Sequence, residues 1–409
     1  MSLTFSDSIF VYNKNGTNTV TVSGLVNPTS TLANYSIPSN VIYNSITYTV
    51  NTIIDNLFVN NTYITSITIP NSVTTIGNGL FSGCTSLKIV SLPTNITSIT
   101  SNMFNGCSAL TTLSSTTVTS IGDSAFGNCT ALTSVSFSNA TTIGNYSFAN
   151  CTALPSVSFP NVTSIATYAF YQCYLLTTVS LPKVISISDS VFLSCSVLSS
   201  ITLPSTLTSI GNSVFTNCTA LSSIAIPSVT TIGNGLFSGC TSLKTVSLPT
   251  NITSITSYMF NGCSALTSLT FSTTTVTSIG DYAFSGCTLL TGVSFQNATS
   301  IGNYSFQGCT SLNSTSFSNA TSIGDYAFFQ CTALTSVSFP KVISIGYCSF
   351  QSCTSLPSIT LPSTLTTIND YAFQNCTALS SIAIPNSATT IGISIFIGCT
   401  SLKLSLIHI

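Results

Sequence analysis

Sulfur is the first chemistry this sequence offers. Its 409 residues include sixteen cysteines. Fifteen of them stand 22 to 24 residues apart: Cys84, Cys107, Cys129, Cys151, Cys173, Cys195, Cys218, Cys240, Cys263, Cys287, Cys309, Cys331, Cys353, Cys376 and Cys399. Thiols in such number could ligate metal, pair as disulfides or serve as nucleophiles, and the spacing argues against each. Zinc needs clustered Cys and His, but there is no C-x-x-C pair and the single histidine is His408. Residues one repeat apart stack about 4.8 Å apart along a parallel sheet. That lies within disulfide Cα range, but the side chains run side by side into the core. The ladder reads as free, buried thiols acting as small apolar groups. Cys348 stands outside it and is expected to be the more exposed and reactive thiol.

The other catalytic chemistries fare no better. One histidine leaves a serine or cysteine nucleophile without a base. Neither a G-x-x-x-x-G-K-[ST] nor a G-x-G-x-x-G phosphate loop occurs. The chain contains no Arg, Glu or Trp, and only 3% of its residues are charged, for a net charge of -1. That gives no basic footprint for a phosphate backbone, so nucleic acid is excluded as a partner. Apolar residues alternate with Ser, Thr and Asn, and no run reaches the length of a membrane span. The first residues, MSLTFSDSIFVYNKNG, show no signal-peptide pattern. The expectation is a chain without enzymatic activity, cofactor or metal, and without membrane insertion.

The elements that space these residues repeat with them. A period of 22 to 24 residues marks a solenoid. In Ala131 to Cys151, ALTSVSFSNATTIGNYSFANC, Leu132, Val135 and Phe137 face the core of a strand while Ser134 and Ser136 face out. Gly144 permits a turn of positive φ. Phe148 and Cys151, three apart, suit one short helical turn. Phe81 with Cys84 and Phe328 with Cys331 repeat that core pair. Three residues before each Phe stands a capping type, and six of the seven Asp occupy this slot: Asp55, Asp123, Asp189, Asp281, Asp325 and Asp370. Tyr347 and Ile393 break the rule.

Residues 1–50 lack the motif. They read as a β-rich N-terminal cap with strands at Ser8–Tyr12, Thr19–Ser23 and Ile46–Val50. Residues 51–409 hold about sixteen units. A seven-repeat block at about 70–226 returns at about 227–384, and Val73–Leu110 differs from Val229–Leu266 only at Ile89/Thr245 and Asn102/Tyr258. The last six residues, 404–409, read as an uncapped strand open to self-association.

The unit resembles the BspA-type, or Treponema pallidum-type, leucine-rich repeat. Leu334 to Pro340, LTSVSFP, matches its strand half, and Ser322 to Cys331, SIGDYAFFQC, its turn half. The resemblance implies a curved α/β solenoid with a parallel sheet on one face and short helices or 3₁₀ turns on the other. It also implies adhesion to host, matrix or cell-surface partners, with display at a cell surface, outside the cell or on a virion.

Two stripes could carry such contacts. One is a row of tyrosines two residues before the Phe, above all Tyr258, Tyr282, Tyr304 and Tyr326, which are rigid with a polar tip. Its plainer reading is that the rings only cover neighbouring coils. The other is the outward hydroxyl face of the strands, including Ser134, Ser136, Ser158, Ser294, Ser316, Ser338 and Thr360. Uncharged hydroxyls at regular spacing suit a protein or glycan partner. A structural role in a virion or larger assembly, and ice binding, stand as alternatives.

Overall fold

The computed structural model describes residues 3–270 and 275–403. The chain divides into two compact units, Met1–Leu207 and Thr208–Ile409. Each is a stack of coils wound by the same local rules. In a regular coil a three-residue strand such as Ser134–Ser136 exposes its serines and half-buries Val135, between buried Leu132 and Phe137. A two-residue strand, Thr142–Ile143, follows and buries Ile143. Both pair in parallel with the same positions of neighbouring coils: Thr112 with Ser134 and Leu113 with Val135, then Ser120 with Thr142 and Ile121 with Ile143. The near-constant repeat length holds this register. A slip of one residue would turn the isoleucine ladder outward.

The third side of the coil corrects the expected helices: among the described residues no α or 3₁₀ helix forms. The side is a run of tight turns. The Ala149 N–H donates to the Tyr146 carbonyl at 3.1 Å and that of Cys151 to Phe148 at 3.2 Å. The N–H groups of Tyr146, Phe148 and Asn150 instead donate to Thr167, Ala169 and Tyr171 of the next coil, at 3.0, 2.8 and 2.8 Å. A helix would spend its amides within the coil. Here alternate amides point outward because Tyr146 and Asn150 adopt φ of 52° and 59°. The coils are thereby bonded along this side as well.

Two details of the motif change role accordingly. Positive φ falls at Tyr146, not at Gly144. Gly144 is small for closeness, since a Cβ there would lie 2.7 Å from the carbonyl carbon of Gly122 in the preceding coil. The capping slot caps no helix. Asp123 Oδ1 accepts the N–H of Asn145 at 2.7 Å, and Asn145 Oδ1 accepts that of Thr167 at 3.1 Å. Asp281, Asn303 and Asp325 continue the pattern in the second unit, accepting from Asn303, Asp325 and Tyr347 at 2.7, 2.8 and 2.7 Å. The seventh aspartate, Asp7, accepts the N–H groups of Ile9 and Phe10 and the Tyr12 hydroxyl.

Inside, phenylalanines form a column. Phe126, Phe148 and Phe170 stack with centroids 5.1 and 5.3 Å apart in the first unit, and Phe284, Phe306 and Phe328 repeat 5.1 and 5.3 Å in the second. Phe81, Cys84, Phe148, Cys151, Phe328 and Cys331 are fully buried. All sixteen cysteines are free thiols. They are more than small apolar groups: Cys84, Cys151 and Cys331 donate to the carbonyls of Phe58, Phe126 and Phe306 in the preceding coil, with Sγ···O of 3.0, 3.2 and 3.1 Å. Cys348 corrects the expectation of exposure, being only 3% accessible.

In the first unit, strands Thr4–Ser6, Phe10–Lys14, Thr19–Leu25, Asn40–Tyr43 and Ile46–Ile53 form one sheet. Its last strand pairs with the first coil through Thr52–Thr75 and Ile53–Ile76. Asn34–Ser36 pairs with Ser66–Thr68. Strands that begin within residues 1–50 thus pair with the first strands of the repeat region at two sides of the coil. The strand expected at 404–409 lies outside the described residues.

Candidate functional site

The turn side carries the most unusual local geometry. Two residues before every ladder Phe the backbone is left-handed: Asn102, Ser124, Tyr146, Tyr168 and Ser190 in the first unit have φ between 51° and 58°. In the second unit Tyr258, Tyr282, Tyr304, Tyr326, Cys348 and Tyr371 have φ between 51° and 59°, and Gly235 has 65°. Gly and Asn enter this region readily, whereas a large side chain there is strained. Tyrosine fills it seven times.

The four tyrosines singled out from the sequence come together. Tyr258, Tyr282, Tyr304 and Tyr326 stack ring on ring at 4.8, 4.6 and 4.7 Å, with interplanar angles of 6–7°. The row does not stop where Cys348 takes the slot. Tyr347, from the adjacent position, contacts Tyr326 at 5.3 Å and Tyr371 at 5.7 Å and carries the aromatic path over the buried thiol. In the sequence Tyr347 stands out only as an exception to the capping rule. Its signal was available: the ring appears in the coil whose row position has none. Desolvation, followed by Tyr304, Tyr258 and Asp281, raises the pKa of Tyr282. Desolvation comes first for Cys348 too, and outweighs the lowering by hydrogen bonds from Tyr326 and Tyr347. Tyr282 and this thiol therefore stay protonated at neutral pH.

On the strand side, Ser134, Ser136, Ser158, Ser338 and Thr360 are exposed, and Ser294 and Ser316 are half-buried. Strands Gly292–Ser294, Ser314–Ser316 and Ser336–Ser338 line an open groove of about 540 Å³. Thr315 stands where neighbouring strands have Val293 and Val337, and its buried hydroxyl donates to the Val293 carbonyl at 3.0 Å. No group of three or more His, Cys, Asp or Glu suited to a metal ion occurs among the described residues. No helix there is long and apolar enough to cross a membrane.

Parallel strands in register, a buried Leu/Ile/Phe/Cys ladder and a regular exposed strand face define a solenoid of the leucine-rich-repeat class. The chain belongs to the BspA-type leucine-rich repeat family, whose model matches residues 51–177, 119–244, 163–291, 215–331 and 321–408. It is similar to a leucine-rich repeat protein of Bacteroides ovatus, 28% identical over 98% of this chain and 93% of that one, with a TM-score of 0.55. A leucine-rich cell-surface protein of Faecalibacterium prausnitzii is also 28% identical, over 98% and 93%, with a TM-score of 0.41. A leucine-rich repeat protein of Eubacterium ventriosum is 24% identical over 100% and 98%, with a TM-score of 0.44. No curated protein matches the sequence. Leucine-rich repeat chains are, as a class, scaffolds that bind other proteins or ligands.

Proposed function

We propose that this is a non-enzymatic binding and adhesion protein. It engages a protein partner through the tyrosine ladder of the second unit, with the hydroxyl face as a further contact surface and residues 1–50 as a closing cap. The observation that carries this reading is tyrosine at left-handed φ in four successive coils. Holding a side-chain-bearing residue there costs about 1–2 kcal/mol. A stacked aromatic pair returns about 0.5–1.5 kcal/mol. The two nearly cancel, and Asn102, Ser124 and Gly235 occupy the same slot in other coils. Folding therefore gives little reason for tyrosine, while contact surfaces favour it as a rigid anchor with a hydroxyl tip.

The test compares the native chain with a Tyr258→Asn, Tyr282→Asn, Tyr304→Asn, Tyr326→Asn variant, on immobilised matrix proteins and on whole cells. Asn already fills the slot at Asn102, so the variant is expected to fold and to change stability by no more than about 1 kcal/mol per residue. Binding is expected to fall by about tenfold or more. Unchanged binding by a folded variant would remove the ladder from the interface.

A further inference from the structure

We propose that the tyrosine ladder of the second unit, together with the carboxylates beside it, docks an extended basic segment of a partner protein that presents a cation at about every third residue. The inference rests on the reading of the ladder as a contact surface and names the chemistry of what it contacts. Asp281, Asp325 and Asp370 are the only acidic residues of this unit, and each directly precedes a row tyrosine: Tyr282, Tyr326 and Tyr371. The first unit has the same two residue types in different coils. There Tyr146 and Tyr168 follow Asn145 and Thr167, while Asp123 and Asp189 precede Ser124 and Ser190.

The slot takes a neutral acceptor as well as a charged one, so the fold does not require the charge. Asn303 Oδ1 accepts the Asp325 N–H at 2.8 Å, as Asp281 Oδ1 accepts that of Asn303 at 2.7 Å. The Asp281 and Asp325 side chains are exposed, so the charge remains at the surface. It is felt along the row: Asp281 contributes to the raised pKa of Tyr282, and Asp325 and Asp370 to that of Cys348 between them. The unit's three lysines, Lys244, Lys341 and Lys403, balance these charges overall, but none of them stands in the turn half of its repeat, so the row itself carries acidic charge alone.

Spacing sets the shape of the ligand. The coils of Asp281 and Asp325 are two steps apart, and ring centroids advance 4.6 and then 4.7 Å over those steps. A polyproline II chain rises about 3.1 Å per residue, so about three residues cover the same distance. Arg suits the site better than Lys, because guanidinium both pairs with carboxylate in two-pronged fashion and stacks on aromatic rings. One ring face is open for it: Tyr258 is 43% exposed, and the preceding row position is Gly235, which has no side chain. The carboxylates are too far apart to share a metal ion.

The test uses the full chain and three short proline-rich peptides: Arg at every third position, Glu in place of Arg, and the same Arg residues clustered at one end. Native protein is expected to bind the first peptide, with affinity falling as salt rises, and to ignore the second. The D281N/D325N/D370N variant keeps the Oδ1 acceptors, so it is expected to fold and to bind the first peptide about tenfold or more weakly. Equal binding by native and D281N/D325N/D370N protein, or equal binding of clustered and spaced peptides, overturns the proposal. Matrix and cell binding separates it from the broader reading. If that binding is lost in the tyrosine variant and retained in D281N/D325N/D370N, the basic-segment inference fails and the contact surface stands. If the tyrosine variant also binds normally, both fail.

Discussion

The two units share most of an interior and differ along one row of the turn side. Phe148 and Phe306 occupy the same place in the two columns and show the same stacking distances to their neighbours. Val73–Leu110 and Val229–Leu266 are identical at all but two positions, and one of the two is Asn102 against Tyr258. Both residues take left-handed φ, 57° and 59°. The coil thus imposes the backbone conformation whatever stands there, and the side chain is left free to vary. The first unit uses that freedom for two stacked tyrosines, Tyr146 and Tyr168 at 4.8 Å, flanked by serines. The second extends the row to six rings by recruiting Tyr347.

If the interior is common to both units, conditions that attack it should fell them together. The largest such effect is alkaline pH. Burial pushes Cys84, Cys129 and Cys173 in the first unit, and Cys240, Cys309 and Cys376 in the second, from 9.0 to about 12. A thiol whose folded pKa is raised ionises first in the unfolded chain. Its contribution is complete below pH 9 and is lost as pH climbs towards 12, at about 1.4 kcal/mol per pH unit per thiol. Because every regular coil has such a thiol, the loss multiplies. Circular dichroism against pH is expected to show the strand signal of the whole chain collapsing between those limits. Thiols that titrate near pH 9 in folded protein, or one unit outlasting the other, would break the equivalence of the two interiors.

A local probe of the same equivalence is Phe148→Ala against Phe306→Ala. Each ring is fully buried between two others and touches a further strand phenylalanine, Phe159 at 5.9 Å or Phe317 at 5.8 Å. Each truncation is expected to cost about 3–5 kcal/mol, with the two values agreeing to about 1 kcal/mol, measured by urea unfolding. A wider gap would mean that one column relaxes into the cavity and the other does not.

Most of the fold was legible because the repeat states it fifteen times over. The thiol ladder, the alternation of serine and valine and the buried phenylalanines follow from period and polarity alone. The turn side was misread for a physical reason. Phe148 and Cys151 lie three apart in a helical turn and in a succession of tight turns alike, so spacing could not decide between them. What decides is the destination of the amides of Tyr146, Phe148 and Asn150, which leave the coil, and one coil's sequence does not contain that information. The aspartate slot was recognised as an acceptor, but its donor proved to lie one repeat ahead. The tyrosine row was visible, while its left-handed backbone was not, because Gly144 drew the expectation of positive φ to itself. Cys348 looked isolated in sequence and is covered in space by rings from neighbouring positions.

The smallest effect tests the comparison at its weakest point, where the interiors are imperfect in the same way. Ser147 and Ser305 are fully buried, and their hydroxyls have no hydrogen-bond partner. Adjacent coils place Ala125 and Ala169, or Ala283 and Ala327, in that slot and bury only a methyl group. A buried hydroxyl without a partner carries a desolvation cost that nothing offsets, so Ser147→Ala and Ser305→Ala are each expected to stabilise the chain by about 1 kcal/mol. The gain would appear as a rise in Tm in thermal unfolding, equal for the two variants. Ser349 adds an asymmetry, since it too has an unpartnered hydroxyl while its counterpart in the first unit is the apolar Val191. Ser349→Ala should therefore stabilise the second unit further, with no equivalent repair in the first. A loss of stability at Ser147 or Ser305 would show that the hydroxyl finds a partner in solution, and that the slot tolerates serine for a reason of its own.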